Sequence, residues 1–170
     1  YEGIDIGTGT VGLISYMRTD SVNLSQEAID ELRQYIGDRY GSDYCPAAAR
    51  VYKTKSKNAQ EAHEAIRPTS IKRTPEMVNE SLTADQQKLY SLIWKRTLAS
   101  QMEDALLDTV AVDLTCGDGN IFRANGSTIT FPGFLTVYEE GKDDQKDDDE
   151  EGTLLPVMAV GDSVNLQDIN

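Results

Sequence analysis

Two residues near the start of the chain have the types and spacing that chemistry at phosphorus would use. Tyr16 and Arg18 lie two apart in Gly12-Leu-Ile-Ser-Tyr16-Met-Arg18-Thr-Asp-Ser21. In an extended backbone, residues two apart point to the same side. Phenol and guanidinium are therefore expected together, with Ile14 beside them. A phenol ionises near pH ~10, and a neighbouring positive charge favours the phenolate. A guanidinium can also hold two phosphate oxygens in a bidentate clamp. On this reading Tyr16 is an oxygen nucleophile that forms a phosphotyrosine, and Arg18 stabilises charge growing on the phosphoryl oxygens. The competing reading is a half-buried strand aromatic beside an arginine that extends into solvent. The Tyr-x-Arg spacing alone does not choose between them.

A second constellation lies at Asn58-Ala-Gln60-Glu-Ala-His63-Glu-Ala-Ile-Arg67-Pro-Thr69. Read as a helix, its Gln60, His63 and Arg67 follow at spacings of three and four and share a face. With Lys53, Lys55 and Lys57 just before them, they make a candidate phosphate-binding face. The competing readings are a surface or capping histidine and a solvated strand edge of lysines. No metal site is expected: the H-E-x-x-H partner is missing, and Cys45 and Cys116 stand alone. The glycines at 7–12 match neither G-x-G-x-x-G nor the P-loop pattern and carry no nucleotide-binding weight.

These residues must be positioned by a chain of 170 residues with a formal net charge of −13. That charge argues against nucleic acid until its distribution is considered. Residues 1–107 hold 13 Lys+Arg and 15 Asp+Glu, whereas residues 108–170 hold 3 and 14. Nine acids fall in the run 139–151, which is expected to be a disordered, solvated loop. Between Arg50 and Arg73 the bias reverses, with seven Lys/Arg against two acids. No apolar run is long enough to span a bilayer, and no signal peptide opens the chain, so no membrane association is expected. Two isolated cysteines point to a reducing, cytoplasmic setting. Neither end resembles a natural terminus, so a piece of a longer protein is expected.

Leu13 to Arg18 reads as a short strand or extended segment. Ser25 is placed to cap a helix carrying Ile29, Leu32 and Ile36, with Gly37 and Gly41 as stops. Asn58 would cap a short helix through Ile66, ended by Arg67-Pro68. Thr74-Pro75 is a helix start. Thr83-x-x-Gln86 matches a capping box and opens a long helix with Leu89, Leu92, Ile93, Trp94, Leu98 and Met102. From Asp108 the texture becomes β-like: Thr109–Thr115 alternates, Gly117-Asp118-Gly119 signals a hairpin, and stretches at 120–130, 134–138 and 154–169 follow. The fold class predicted is α+β, with a mainly helical domain at 1–107 and a β-rich part at 108–170.

Together these segments resemble the bacterial type IA DNA topoisomerase family. Gly12 to Ser21 resembles its nucleophile motif, Ala59 to Thr69 its second signature, and Leu89 to Met102 the helix leaving the nucleophile-bearing domain. The resemblance is firm over about 12–105 and weaker beyond 108, where the chain resembles the β part of the gate domain. It implies that Tyr16 attacks a DNA phosphate, becomes linked to the 5′ phosphate and frees a 3′ hydroxyl. It also implies that Arg18 contacts the phosphate and that His63 and Arg67 contact DNA. The parent would relax negatively supercoiled DNA without ATP, acting on its single-stranded regions together with the remaining domains of the same chain. Mg²⁺ would belong to an Asp-x-Asp cluster in a Toprim domain, which has no match before Tyr16; none is expected on this piece. By itself the piece is expected not to relax DNA. The alternative is a non-catalytic DNA-binding or structural module that retains the fold.

Overall fold

The computed structural model describes residues 1–52, 63–138 and 154–165. Lys53, Lys55, Lys57 and Gln60, and the acidic run 139–151, lie outside the described residues. Among the described residues the architecture is α+β, with α-helices and two small antiparallel sheets. Contacts divide the chain into two units: 1–104 with 133–138, and 105–132 with 154–165.

The first unit opens with a short hairpin, β1 (Ile4–Asp5) against β2 (Thr10–Val11). Helix α1 (Gln26–Tyr40) starts where Ser25 Oγ accepts the N–H of Ala28. It stops at Gly41, whose φ of 103° lies in the left-handed region that glycine reaches without strain. Its buried stripe is Ala28, Leu32 and Ile36, so Ala28 rather than Ile29 faces inward. Pro75 opens the single-turn α2 (Pro75–Val78).

Helix α3 (Ala84–Ala99) has the full capping box: Thr83 Oγ1 accepts from Gln86 N–H, and the Gln86 side chain accepts from Thr83 N–H. Its inward face is Tyr90, Trp94, Thr97 and Leu98, at spacings of four, three and one. Leu89 and Leu92, apolar residues of the same helix, are exposed. The aromatic pair outbids them because each ring also has a polar end to satisfy. Tyr90 Oη donates to the Arg73 carbonyl at 2.6 Å, and Trp94 Nε1 donates to the Ile71 carbonyl at 2.9 Å. Burial pushes the Tyr90 phenol up to about 12. Leu13, Leu32, Ile36, Ile71, Val78, Leu98 and Met102 close the core around them.

Phe134 and Val137 pack against this same core. The stretch 134–138, read from sequence as β-like, is not a strand: Gly133–Thr136 forms a 3₁₀ turn. Phe134 N–H bonds the Glu103 carbonyl at 2.9 Å. Gly133 sits so close to the Asp104 backbone, at φ 48°, that a Cβ would overlap it. Docking of the Phe134 ring therefore overrides β propensity here.

The second unit is a long ribbon, β3 (Leu106–Cys116) paired antiparallel with β4 (Asn120–Phe131). Gly117 and Gly119 take positive φ at the turn between them. Asp113 faces Arg123 across the strands, with bonds of 2.7 and 2.8 Å. Those bonds hold the Asp113 carboxyl below its ordinary value. After β4 the expected strand over 154–169 is reduced to one bridge, Leu154 beside Ser127, with Leu155 N–H on the Ser127 carbonyl at 2.8 Å. Residues 155–165 form no strand, and 166–169 lie outside the described residues.

Exposure sets a test of the α3 face. Leu98 is 0% and Leu89 55% exposed. Leu98→Ala should cost about 2–5 kcal/mol by leaving a cavity, whereas Leu89→Ala should stay within about 0.5 kcal/mol. Urea unfolding followed by Trp94 fluorescence reads both, and equal costs would mean that the inward face is misassigned.

Candidate active site

The chemistry-bearing segments are far apart in sequence and are joined backbone to backbone. Leu13, Ile14 and Ser15 lie antiparallel to Arg67, Pro68 and Thr69: Ser15 N–H donates to the Arg67 carbonyl at 2.8 Å and Thr69 N–H to the Leu13 carbonyl at 2.9 Å. Ser15 Oγ reinforces the joint, donating to the Ala65 carbonyl and accepting from Arg67 N–H, each at 2.9 Å. A second seam follows, where Ala65 N–H bonds the Asn23 carbonyl at 2.8 Å and Ser21 Oγ donates to the His63 carbonyl. Residues 63–66 are consequently not helical. Their backbone groups bond outward to 21–23, and the helix expected through Ile66 is absent over these four residues.

The extended segment ends at Tyr16. Arg18 N–H donates to the Tyr16 carbonyl at 2.8 Å, a γ-turn around Met17. Met17 keeps a negative φ, so the turn is the inverse, unstrained form. Simple alternation through Arg18 is therefore replaced by a bend. The bend leaves Tyr16 58% exposed, its ring edge-on to Tyr1 at 5.1 Å. Its hydroxyl has no hydrogen-bond partner among the described residues.

The same bend brings Arg18 against His63 and Asp20. Arg18 Nη1 lies 3.0 Å from His63 Nε2, and His63 Nδ1 lies 3.1 Å from Asp20 Oδ2. One tautomer satisfies both: neutral imidazole with its proton on Nδ1, donating to Asp20 and accepting from Arg18 on Nε2. A second proton on Nε2 would point at a guanidinium N–H. Asp20 Oδ2 also takes Arg18 Nε at 3.1 Å. Two side chains, Asp20 and His63, thus fix the guanidinium plane and leave Nη2 without a partner among the described residues. Ser15, Tyr16, Arg18, His63 and Glu64 line a cleft of about 360 Å³ beside it.

Glu64, in the cleft wall, forms a bidentate pair with Arg67 at 2.7 and 3.2 Å, and its Oε1 also accepts from Ser25 N–H at 3.0 Å. Burial pushes the Glu64 carboxyl up, but hydrogen bonds from Arg67 and Ser25 outweigh it and hold the group below its ordinary value. Arg67 Nη1 donates to the Pro68 carbonyl at 2.8 Å. All three guanidinium nitrogens of Arg67 are therefore occupied, in a side chain 18% exposed.

The family model described as DNA topoisomerase matches residues 1–170. The chain belongs to the bacterial DNA topoisomerase family. It is 56% identical to DNA topoisomerase 1 of Xylella fastidiosa and 50% identical to that of Rickettsia bellii, each match covering 99% of this chain and 21% of the relative. The structure of full-length topoisomerase I from Thermotoga maritima superposes with a TM-score of 0.61 at 36% identity, covering 90% of this chain and 24% of that one. The chain spans about a fifth of the length of the curated relatives it matches.

In this topoisomerase chain, Tyr16, Arg18 and His63 converge on one cleft, whereas Arg67 is held behind it by Glu64. Asp20, Glu64 and Ser15 were not singled out from the sequence. Asp20 carried a signal, standing two residues beyond Arg18, and so did Glu64, three residues before Arg67; the Ser25–Glu64 bond and the Ser15 joint span 39 and 52 positions and carried none. Among the described residues no three His, Cys, Asp or Glu side chains are grouped to hold a metal ion. No described helix is long and apolar enough to cross a membrane.

Because Glu64 is held below its ordinary 4.5 in the fold, its contribution is complete above about pH 4.5 and is lost as pH falls through the lower folded value. Glu64→Gln should cost about 1–2 kcal/mol at pH 7, given a carboxylate one-third exposed. It should also remove part of the stability loss seen below pH 4.5. Urea midpoints across pH 2.5–7 (about 2.5 to 7, spanning the carboxylate range) measure both, and unchanged acid sensitivity in the variant would count against the pair.

Proposed function

We propose that Tyr16 is the nucleophile of a DNA strand-cleaving centre and that Arg18 binds the phosphate it attacks. One observation carries the reading: an exposed phenol shares a cleft with a guanidinium that is held at Nε and Nη1 and left open at Nη2. A phosphodiester entering the cleft meets the Tyr16 oxygen and the open edge of Arg18. The phenol oxygen bonds to phosphorus, its proton leaves, the P–O3′ bond breaks, and the 3′ oxygen takes up a proton. One phosphodiester is exchanged for another, so the step reverses without ATP. Asp20 and His63 position Arg18 in advance, which avoids reorganisation as charge builds on the phosphoryl oxygens. Arg67 acts through Glu64, holding the His63 segment rather than the strand.

In the parent protein this centre supports ATP-independent relaxation of negatively supercoiled DNA in the cytoplasm, through a 5′-phosphotyrosyl link, strand passage and religation. The single-stranded substrate and the remaining domains of the same chain are its partners. Mg²⁺ is assigned to a Toprim domain elsewhere in the parent, and no step above runs through it. His63, Lys53, Lys55, Lys57 and Gln60 remain candidates for contacts to DNA; the lysines and Gln60 lie outside the described residues.

In the full-length enzyme, Tyr16→Phe should abolish the protein–DNA adduct seen by mass spectrometry while DNA binding persists, because the ring is kept. Arg18→Lys should lower cleavage by about 10²–10³, since an ammonium cannot reproduce the fork that meets Asp20, His63 and a phosphate together. An adduct in the Phe variant would mean that the nucleophile is misassigned. Absence of any adduct in the unaltered enzyme would favour the non-catalytic module. Residues 1–170 alone should leave supercoiled DNA unrelaxed, with or without Mg²⁺. Relaxation by this chain, lost on Tyr16→Phe, would overturn that expectation.

A further inference from the structure

Arg18 borders two cavities. Besides the cleft it shares with Tyr16, it lines a groove of about 370 Å³ whose walls include Val22, Tyr52, Ile66 and Arg96. We infer that this groove seats the first nucleotide on the 3′ side of the scissile phosphate, with the phosphate that follows it on Arg96. The inference rests on Tyr16 being the nucleophile.

The volume is in the range of small-ligand sites. In a chain of net charge −13, none of the described residues lining the groove is a carboxylate. Its two charged members are both arginines, and Val22, Leu24, Ala65 and Ile66 line it with them. Two cations and an apolar wall match what one nucleotide offers, a phosphate at each end and a sugar and base between. Tyr52 supplies a fixed aromatic surface: its hydroxyl is tied to the Ser100 carbonyl at 2.8 Å while the residue stays 45% exposed.

Arg96 is exposed near the end of α3 and has no carboxylate partner among the described residues. Its guanidinium lies over the Tyr138 ring at 5.3 Å, which steadies the side chain without neutralising it. Strand polarity follows from the chemistry proposed for Tyr16. The nucleotide whose 5′ phosphate is taken by the phenol starts at Arg18, so the strand enters the groove there and runs 5′ to 3′ toward Arg96.

The test uses the full-length enzyme and a single-stranded oligonucleotide with one cleavage site. A neutral methylphosphonate replaces the phosphate one nucleotide to the 3′ side of the scissile one. It should weaken binding by about tenfold in the unaltered enzyme, the scale of one charge-assisted contact. Arg96→Ala should weaken binding of the unmodified strand to the same degree and reduce the salt slope by about one. Variant and methylphosphonate together should be no worse than either alone, and Arg96→Lys should recover part of the loss on the charged strand only. Arg96 is exposed, so these variants leave the core intact. Losses that add, or a variant indifferent to salt and strand, would overturn the groove assignment while the Tyr16 adduct still forms. If the unaltered enzyme forms no adduct on the unmodified strand, the nucleophile assignment fails and the groove falls with it.

Discussion

A six-residue seam holds the candidate site together. Leu13–Ser15 pairs with Arg67–Thr69 through two backbone bonds, and Ser15 Oγ adds two more. Without that seam Arg18 and His63 are separated by 45 residues of chain and have no reason to meet. Everything chemical follows from it. The seam fixes the register, the register sets His63 opposite Asp20, and Asp20 with His63 fixes the guanidinium. Leu13 also belongs to the core that α1 and α3 complete. The helices thus serve the site by burying one end of the seam.

The distribution of charge in and around the cleft deserves the same accounting. Arg18 is met by Asp20 and Arg67 by Glu64, so the described cleft is close to neutral rather than strongly basic. On the proposed function, this chain's affinity for a polyanion does not come from its own bulk field, which at −13 opposes it. It has to come from donors aimed in advance at individual oxygens, where geometry counts for more than net charge. A guanidinium fixed by two neighbours serves that purpose better than a mobile lysine.

Much of the fold was legible because local rules decide it. Ser25 and Thr83 cap the helices they were expected to cap, Gly41 ends α1, and Gly117-Asp118-Gly119 turns the ribbon. The misreadings occur where a distant partner overrides local preference. Phe134 looks β-forming but is drawn to the core and to Glu103. Ala65 looks helical but its N–H is claimed by Asn23. Leu89 and Leu92 are apolar yet face water, because Tyr90 and Trp94 bury more area and reach carbonyls. At the site, Tyr16 and Arg18 stood out by type and spacing. The Ser15 joint, the Ser25–Glu64 bond and the Arg18–His63 contact join residues 39 to 52 positions apart, which no sequence window contains.

The two pieces of the chain also differ in how soon they can form. The ribbon closes across a turn whose flanking residues, Cys116 and Asn120, are four apart, while the Ser15–Arg67 joint closes across 52. On the scaling of closure entropy with loop length, the longer loop costs about 2 kcal/mol more to close. Its contacts raise the contact order of the first unit, which slows folding. During synthesis the segment bearing Tyr16 emerges well before His63 exists to meet Arg18. A chain caught part-way therefore carries the phenol without its positioned cation, and the candidate site is complete only once this long-range closure has formed.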